Sequence, residues 1–545
     1  MKTFKKIGLT KILLPLSILF LASCAATPDV RLSVAEMTMT LEEPAYRVTT
    51  VAVSSDGKYI TSGDVNGDVT LWDISNGKLL WKKNGHKTTG AGMVEDWVVS
   101  SAFTLDGKNF LTGGGNKIIR VWDVESGNIK RNLEGHEGNW FSGTATIFSI
   151  NVSSDSKNAV TAGGDGTFRL WDIESGMLIK TLKASDGYMG GATVYADLSS
   201  DNKYTLSGGG DGTLRLWDND KGTELLKVEA HWKVDSVVLN KNGKQAFSGG
   251  IIEKGFFTGQ ERELKFWNLE TGNMIWRVDK PHGNCYVNTL SVSKDGKYLL
   301  SGGCEFVKLW DVQTGSLLKS YKGASFLHSG FTGYGRGDGA IFHPNDKMII
   351  TKGIDASVRI KDLNTDEETA LFVNFRNGEW LVITSEGYYN SSEKGAQYLS
   401  VKVGEKSYSV DNFYDVFYRP DIVAAKLRGE DIKDLVTITM QDAIKSPPPV
   451  VEISPISASP TSPKAKVCYN VKSTGGGIGE VRLFHNGKLI ESDGYYKETA
   501  KTSDKMQLAK INSKTIYEDM RSVKIKGIGE ISPITSKTKG ELFEG

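Results

Sequence analysis

A chain of 545 residues, 39% hydrophobic and 24% charged, carries 66 Lys and Arg against 65 Asp and Glu. That balance, with no basic stripe, zinc-finger spacing or RNA-binding aromatic signature, gives nucleic acid little electrostatic footing, and nucleic-acid binding is disfavoured. The first 23 residues open with Lys2, Lys5 and Lys6 and continue into an apolar stretch from Ile12 to Ala22. This is too short for a spanning helix, which needs about 20 apolar residues, and reads as a secretion signal over 1–23.

The run Leu21-Ala22-Ser23-Cys24 resembles the lipobox of bacterial lipoproteins. The resemblance implies cleavage before Cys24, a diacylglyceryl group on its thiol, an acylated amine and hence a durable membrane anchor. Ala25 rather than Asp comes next, which favours the outer over the inner membrane. Loss of Lys2, Lys5, Lys6 and Lys11 with the signal leaves 62 cationic against 65 acidic residues, a net charge of about −3. A tether over 24–30 precedes a first strand expected from Arg31 to Leu41, and so short a tether keeps the folded part of the chain close to the membrane surface.

From there an apolar run closes seven times, at intervals of 43 to 51 residues, in Trp-Asp or a relative. The anchors are Trp72-Asp73, Trp122-Asp123, Trp171-Asp172, Trp217-Asp218, Trp267-Asn268, Trp310-Asp311 and the degraded Lys361-Asp362. Within 146–182 the pattern is four short alternating runs separated by tight polar turns, as in one antiparallel blade. A unit of this period buries its apolar face only against its neighbours, so the repeats form one continuous core. These features resemble WD-repeat β-propellers, and the resemblance implies seven blades over 31–375.

The same resemblance implies a structural relay from a His after the outer strand, through an acid before the third strand, to the Trp. His86, His136, His231 and His282 fill the first position, and Asn66, Asn116, Asp165, Asp211, Glu261, Cys304 and Asp355 stand six residues before the anchors. They are expected to satisfy one another inside the fold rather than bind metal. Asp64, Asn66 and Asp68 alternate as in a calcium loop, but the terminal Glu and twelve-residue spacing are missing, so a blade turn is expected. In the propeller Cys285 and Cys304 fall on one rim of blade six, and a disulfide between them is expected.

The turns between strands one and two, and between three and four, are uniformly short. Length accumulates after strand four, in 87–98, 137–144, 185–193 and 325–339, and between strands two and three of blade five, in 250–262. In a four-stranded meander both connection types leave on one side of the disk, so one face is minimal and the other elaborated. The long loops carry Trp97, Trp140, Tyr188, Phe256, Phe257, Phe326, Phe331, Tyr334 and Arg336 among glycines. Aromatic and Arg side chains dominate protein interfaces, so this face is the expected site for a protein partner; the rings also suit packing onto neighbouring loops, or sugars such as peptidoglycan.

Residues 376–445 read as a small α/β module: a hairpin near 374–384, then a helix from Pro420 ending near Gly429. Its Gly378-Glu379-Trp380, Gly387-Tyr388-Tyr389-Asn390 and Phe417-Tyr418-Arg419-Pro420-Asp421 runs resemble a segment of bacterial proteins that combine WD repeats with a caspase-like peptidase. Ser446-Pro447-Pro448-Pro449 is a stiff linker. Beyond it, alternating runs and the Asn486-Gly487 turn suggest an immunoglobulin-like β-sandwich over 450–545.

The fold class is therefore mainly β. No nucleophile elbow or caspase-like His and Cys pairing occurs, and Cys468 lies in a strand reading that suits packing, so no catalytic residue, cofactor or metal is expected. The leading expectation is a non-enzymatic, membrane-anchored envelope scaffold. The rivals are a regulatory or truncated relative of a caspase-like peptidase, and glycan or peptidoglycan binding.

Overall fold

The computed structural model describes 32–34, 37–41, 46–87, 96–138, 146–185, 194–240, 243–252, 261–303, 306–322, 339–353, 355–403 and 406–436. Within 32–41 and 450–530 it describes the backbone of the strands. Seven antiparallel sheets occupy 48–84, 98–133, 147–183, 194–229, 233–279, 289–322 and 339–374, each built from four consecutive strands.

Hydrogen bonds between neighbouring innermost strands close these sheets into a ring. Thr50 Oγ1 meets Ser101 Oγ at 2.9 Å, Ser100 Oγ donates to Ile147 O at 3.1 Å, and Asn151 Nδ2 donates to Ala196 O at 2.7 Å. Leu239 N then donates to Asp197 Oδ2 (2.8 Å), Ser236 Oγ to Val287 O (2.8 Å) and Phe342 N to Ser291 Oγ (3.3 Å). The last blade returns to the first through Lys352 Nζ on Thr49 O and His343 Nε2 against Gly57 O at 3.1 Å. The molecule contains a seven-bladed β-propeller.

Each gap between blades is filled by apolar side chains from both sheets. Between blades one and two lie Val69, Leu71, Val98, Phe110 and Trp122, and between blades three and four lie Val160, Phe168, Val194 and Trp217. The anchoring Trp of each intact repeat is thus a core residue shared by two sheets, which is why the repeats cannot fold singly. In the turn between the third and fourth strands of blade one, Gly77 adopts φ +62° and its N–H donates to Asp73 O at 2.9 Å.

Two elements differ from the sequence expectation. The strand expected over 31–41 forms as Leu32–Val34 and Met37–Leu41, but it joins no blade. Met37–Leu41 pairs antiparallel with Leu399–Val403, and Lys406–Ser409 completes that separate sheet. Blade seven already owns an outer strand, Glu368–Asn374, so the amino-terminal strand finds its partner in the next module instead.

The hairpin expected near 374–384 does form, and it prolongs blade seven to six strands: Trp380–Ile383 pairs with Leu371–Asn374, and Tyr389–Ser391 lies outside it. The helix runs Pro420–Leu427, with Pro at its first turn, Asp421 near the amino end, Lys426 near the carboxyl end and Gly429 beyond it at φ +76°. Of its buried residues, Ile422, Val423 and Leu427 pack in one cluster with Trp72 and Ile74 of blade one and Phe372, Leu381 and Val382 of blade seven's sheet.

Farther on, Val450–Ile453, Ser457–Ala458 and Lys524–Glu530 all pair with Ala465–Lys472, while Val481–His485, Lys488–Thr502 and Lys505–Ile511 form a second sheet. His485 is paired with Lys488, in agreement with the turn expected between them; Asn486 and Gly487 themselves lie outside the described residues. Among the described residues no helix is long and apolar enough to cross a membrane.

Candidate functional site

Backbone hydrogen bonds place both long connection types on one face. In blade one Gly67, between strands two and three, accepts from Gly85 N (2.9 Å) and His86 N (3.1 Å), just past the outer strand. Gly166 with Ala184 and Ser185, and Gly212 with Ala230 and His231, repeat the contact in blades three and four. Where the connection re-enters the next blade it meets the same face, through Gly115 N on Trp97 O (3.0 Å) and Gly164 N on Thr146 O (3.0 Å).

The opposite face holds the tight turns, such as Gly57 N on Ser54 O (2.8 Å) and Gly107 N on Thr104 O (3.0 Å). Trp97, half-buried, stands at the foot of the first long connection. Trp140, Tyr188, Phe256, Phe257, Phe326, Phe331, Tyr334 and Arg336 lie outside the described residues, as do Cys24 and Cys304. Cys285 is buried and disulfide-bonded.

A polar network braces this face. Indole N–H groups donate to hydroxyls of the second strand: Trp122 to Thr112 (2.7 Å) and, at 2.8 Å, Trp171 to Thr161, Trp217 to Ser207, Trp267 to Ser248 and Trp310 to Ser301. Four of those hydroxyls also meet a histidine Nε2, of His86, His136, His231 and His282, at 2.7–2.8 Å. Each of these histidines comes after the outer strand of the preceding blade, so every relay pins two sheets together. Nδ1 of His136 meets Asp165 Oδ2 at 2.9 Å, and Nδ1 of His86 meets Asn116 Oδ1 at 3.2 Å.

In blade five the acid is Glu263, 3.0 Å from His231 Nδ1, and not Glu261, which pairs with Lys280 at 3.0 Å. The second and third strands of this blade are each eight residues long, and that lengthening moves the acid by one strand repeat toward the Trp. The hydroxyls were missed by sequence reasoning. So was a cation two residues before every anchor Trp except Trp72: Arg215 donates to Ala184 O, and Lys265 and Lys308 donate to Ala230 O (2.5 Å) and Pro281 O (2.6 Å) of the preceding connection.

Burial, reinforced by Arg120 for His86 and by Lys308 for His282, lowers both imidazoles to about 3, so they are neutral acceptors and donors rather than acid–base groups. Burial raises the Asp165 carboxyl, but the hydrogen bond and charge of His136 outweigh it and hold the group at about 2. The relay is thus structural, and among the described residues no group of three His, Cys, Asp or Glu side chains is arranged to hold a metal ion.

The Asp64 turn closes on itself: Oδ1 accepts from Asn66 N (2.8 Å) and Asp68 N (3.0 Å), and Asp68 pairs with Lys82 at 3.2 Å. Burial, then the Asp68 charge, push the Asp64 carboxyl up to about 7. A raised folded value means that the proton is held more tightly in the folded state, so stability falls as pH rises from about 4 to about 7. Asp64→Asn keeps an acceptor for the two amides. It is expected to leave the denaturation midpoint at pH 4 nearly unchanged and to raise stability by about 1–2 kcal/mol at pH 8.

Comparison with known proteins agrees with this geometry. The family described as WD domain, G-beta repeat matches residues 35–73, 77–123, 127–172, 178–218 and 276–311. Over these residues the chain is similar to WD40 repeats. Each later match begins at or near the outer strand of one blade and ends at the Trp-Asp of the next, the span over which the relay acts. The two anchors at which no match ends are Trp267-Asn268 and Lys361-Asp362. The small ribosomal subunit protein RACK1y of Oryza sativa subsp. japonica is 29% identical over 106 residues, 19% of this chain. The chain matches 28% of that relative's length.

Proposed function

We propose that the protein is a non-enzymatic scaffold of the bacterial envelope, anchored by lipid at Cys24 and binding a protein partner through the elaborated face of its WD40 ring. The observation that carries this reading is that long connections rise from one face, with Trp97 at the foot of the first, while the other face keeps minimal turns. A rigid ring displaying loops is suited to protein recognition, because the scaffold holds the loops without itself rearranging.

The basic, apolar leader ending at Cys24 supports acylation, and Ala25 supports the outer membrane. In an oxidising envelope Cys304 is the partner assigned to Cys285. The residues after the linker are assigned to an immunoglobulin-like sandwich that adds reach or contacts.

Two variants test the reading in detergent-solubilised envelope. Trp97→Ala is expected to reduce recovery of the partner roughly tenfold or more, the effect of losing a buried aromatic anchor. Cys24→Ala is expected to abolish incorporation of labelled fatty acid and to move the chain into the soluble fraction. Unchanged recovery with Trp97→Ala would remove the assigned face, and retention on isolated sacculi instead would point to glycan.

A further inference from the structure

A second site lies away from the loop face. The outer strand of blade one, Lys78–Asn84, pairs with Asp68–Asp73 on one side, and no described strand pairs with its other edge. Along that edge runs a cleft of about 560 Å³, walled opposite by the 376–378 turn and Trp380 of blade seven's extension. Leu79, Leu80, Trp81 and Lys82 all line it. Leu80 is the extra residue of a β-bulge, since Leu79 pairs with Trp72 and Trp81 with Leu71; a cleft that touches both sides of the bulge and Lys82 beyond it tracks the backbone edge, where N–H and C=O groups are presented.

The molecule already uses the equivalent edge elsewhere. In blade seven the outer strand Glu368–Asn374 receives Trp380–Ile383 as a fifth strand, in the register Leu371 to Ile383 through Asn374 to Trp380. Blade one has the same edge, with Leu80 46% exposed, and no such cover among the described residues. Its charge is one-sided. Within the cleft Asp68 is matched by Lys82 at 3.2 Å, which leaves Arg376 over the Tyr46 ring, and Lys78 and Lys83 are exposed alongside.

We propose that this edge is a strand-addition site for an extended peptide of a partner protein that alternates acidic and aliphatic residues. Main-chain hydrogen bonds to Lys78–Asn84 supply the pairing. Leu80 and Trp380 meet the aliphatic side chains, and Arg376 and Lys83 meet the carboxylates.

The test uses the full chain with a synthetic heptapeptide alternating Glu and Val, read by amide hydrogen exchange. Added peptide is expected to slow exchange about tenfold or more within 79–84, at alternate amides over 81–84 beyond the bulge, the pattern that an antiparallel partner imposes. A matching peptide of alternating Lys and Val, and the Arg376→Glu chain with the acidic peptide, are each expected to bind roughly tenfold more weakly. No protection of 79–84 at millimolar peptide, protection confined to the loop face, or equal binding by Arg376→Glu would each overturn the proposal. Loss of the Trp97 interaction with strand addition intact would separate the two sites.

Discussion

Replacing Val423 by Asp is expected to destabilise the ring by about 3–5 kcal/mol, because it buries an unpaired carboxylate where blades one and seven meet. In blades two, three, five and six a histidine and a hydroxyl pin the sheet to its neighbour. At the seam between blades seven and one, Ser62 turns to Thr70 (2.5 Å) and, among the described residues, Trp72 Nε1 has no hydrogen-bond acceptor. The Trp72 ring stands edge-on to Phe372 (5.3 Å) and Trp380 (6.1 Å) instead.

The helix Pro420–Leu427 lies against that seam so closely that a side chain at Gly77 would meet Val423 at 3.0 Å and Leu427 at 3.1 Å. Asn390 Nδ2 and Arg428 Nη1 donate to the same turn, at Asn76 O (3.2 Å) and Ser75 O (3.3 Å). The residues after the last repeat therefore act as the clasp of the ring. Denaturant unfolding of Val423→Asp should show the lost stability, with hydrogen exchange rising first in 48–84 and 339–374. Lys433→Asp, at an exposed position, should change neither.

The second large effect is expected from Thr161→Val. That hydroxyl accepts from Trp171 Nε1 and lies 2.8 Å from His136 Nε2, so an isosteric methyl strands two buried nitrogens together with the Asp165 partner behind them. The cost is about 2–4 kcal/mol. Ser62→Ala in blade one is the matched control, because Trp72 does not use Ser62, and should cost under about 1 kcal/mol. Equal losses in the two variants, measured by chemical denaturation, would mean that the relay does not brace the ring.

The ring was legible because tight turns repeated seven times, and Trp anchors repeated six times, are local signals, and the one-sided growth of the loops could be read from their lengths. The relay was half legible. Its His and acid positions stand out by spacing, but Thr112, Thr161, Ser207, Ser248 and Ser301 read as ordinary strand residues until the fold brings each beneath an indole. Glu263 displaced Glu261 because lengthened strands shift a fixed offset.

The seam was not legible at all. Met37–Leu41 alternates like a blade strand, and nothing local says that its partner is Leu399–Val403 rather than blade seven. The cleft beside Lys78–Asn84 likewise exists only because a distant turn is folded over an open edge.

A photo-reactive residue placed in turn at position 97 and at position 106, in chain purified with its partner, tests the central claim most directly. Position 97 stands at the elaborated face and Asp106 in a tight turn of the opposite one. Cross-links to the partner are expected from position 97 and none from position 106; equal yields, or adducts from 106 alone, would mean that the partner does not dock on the elaborated face.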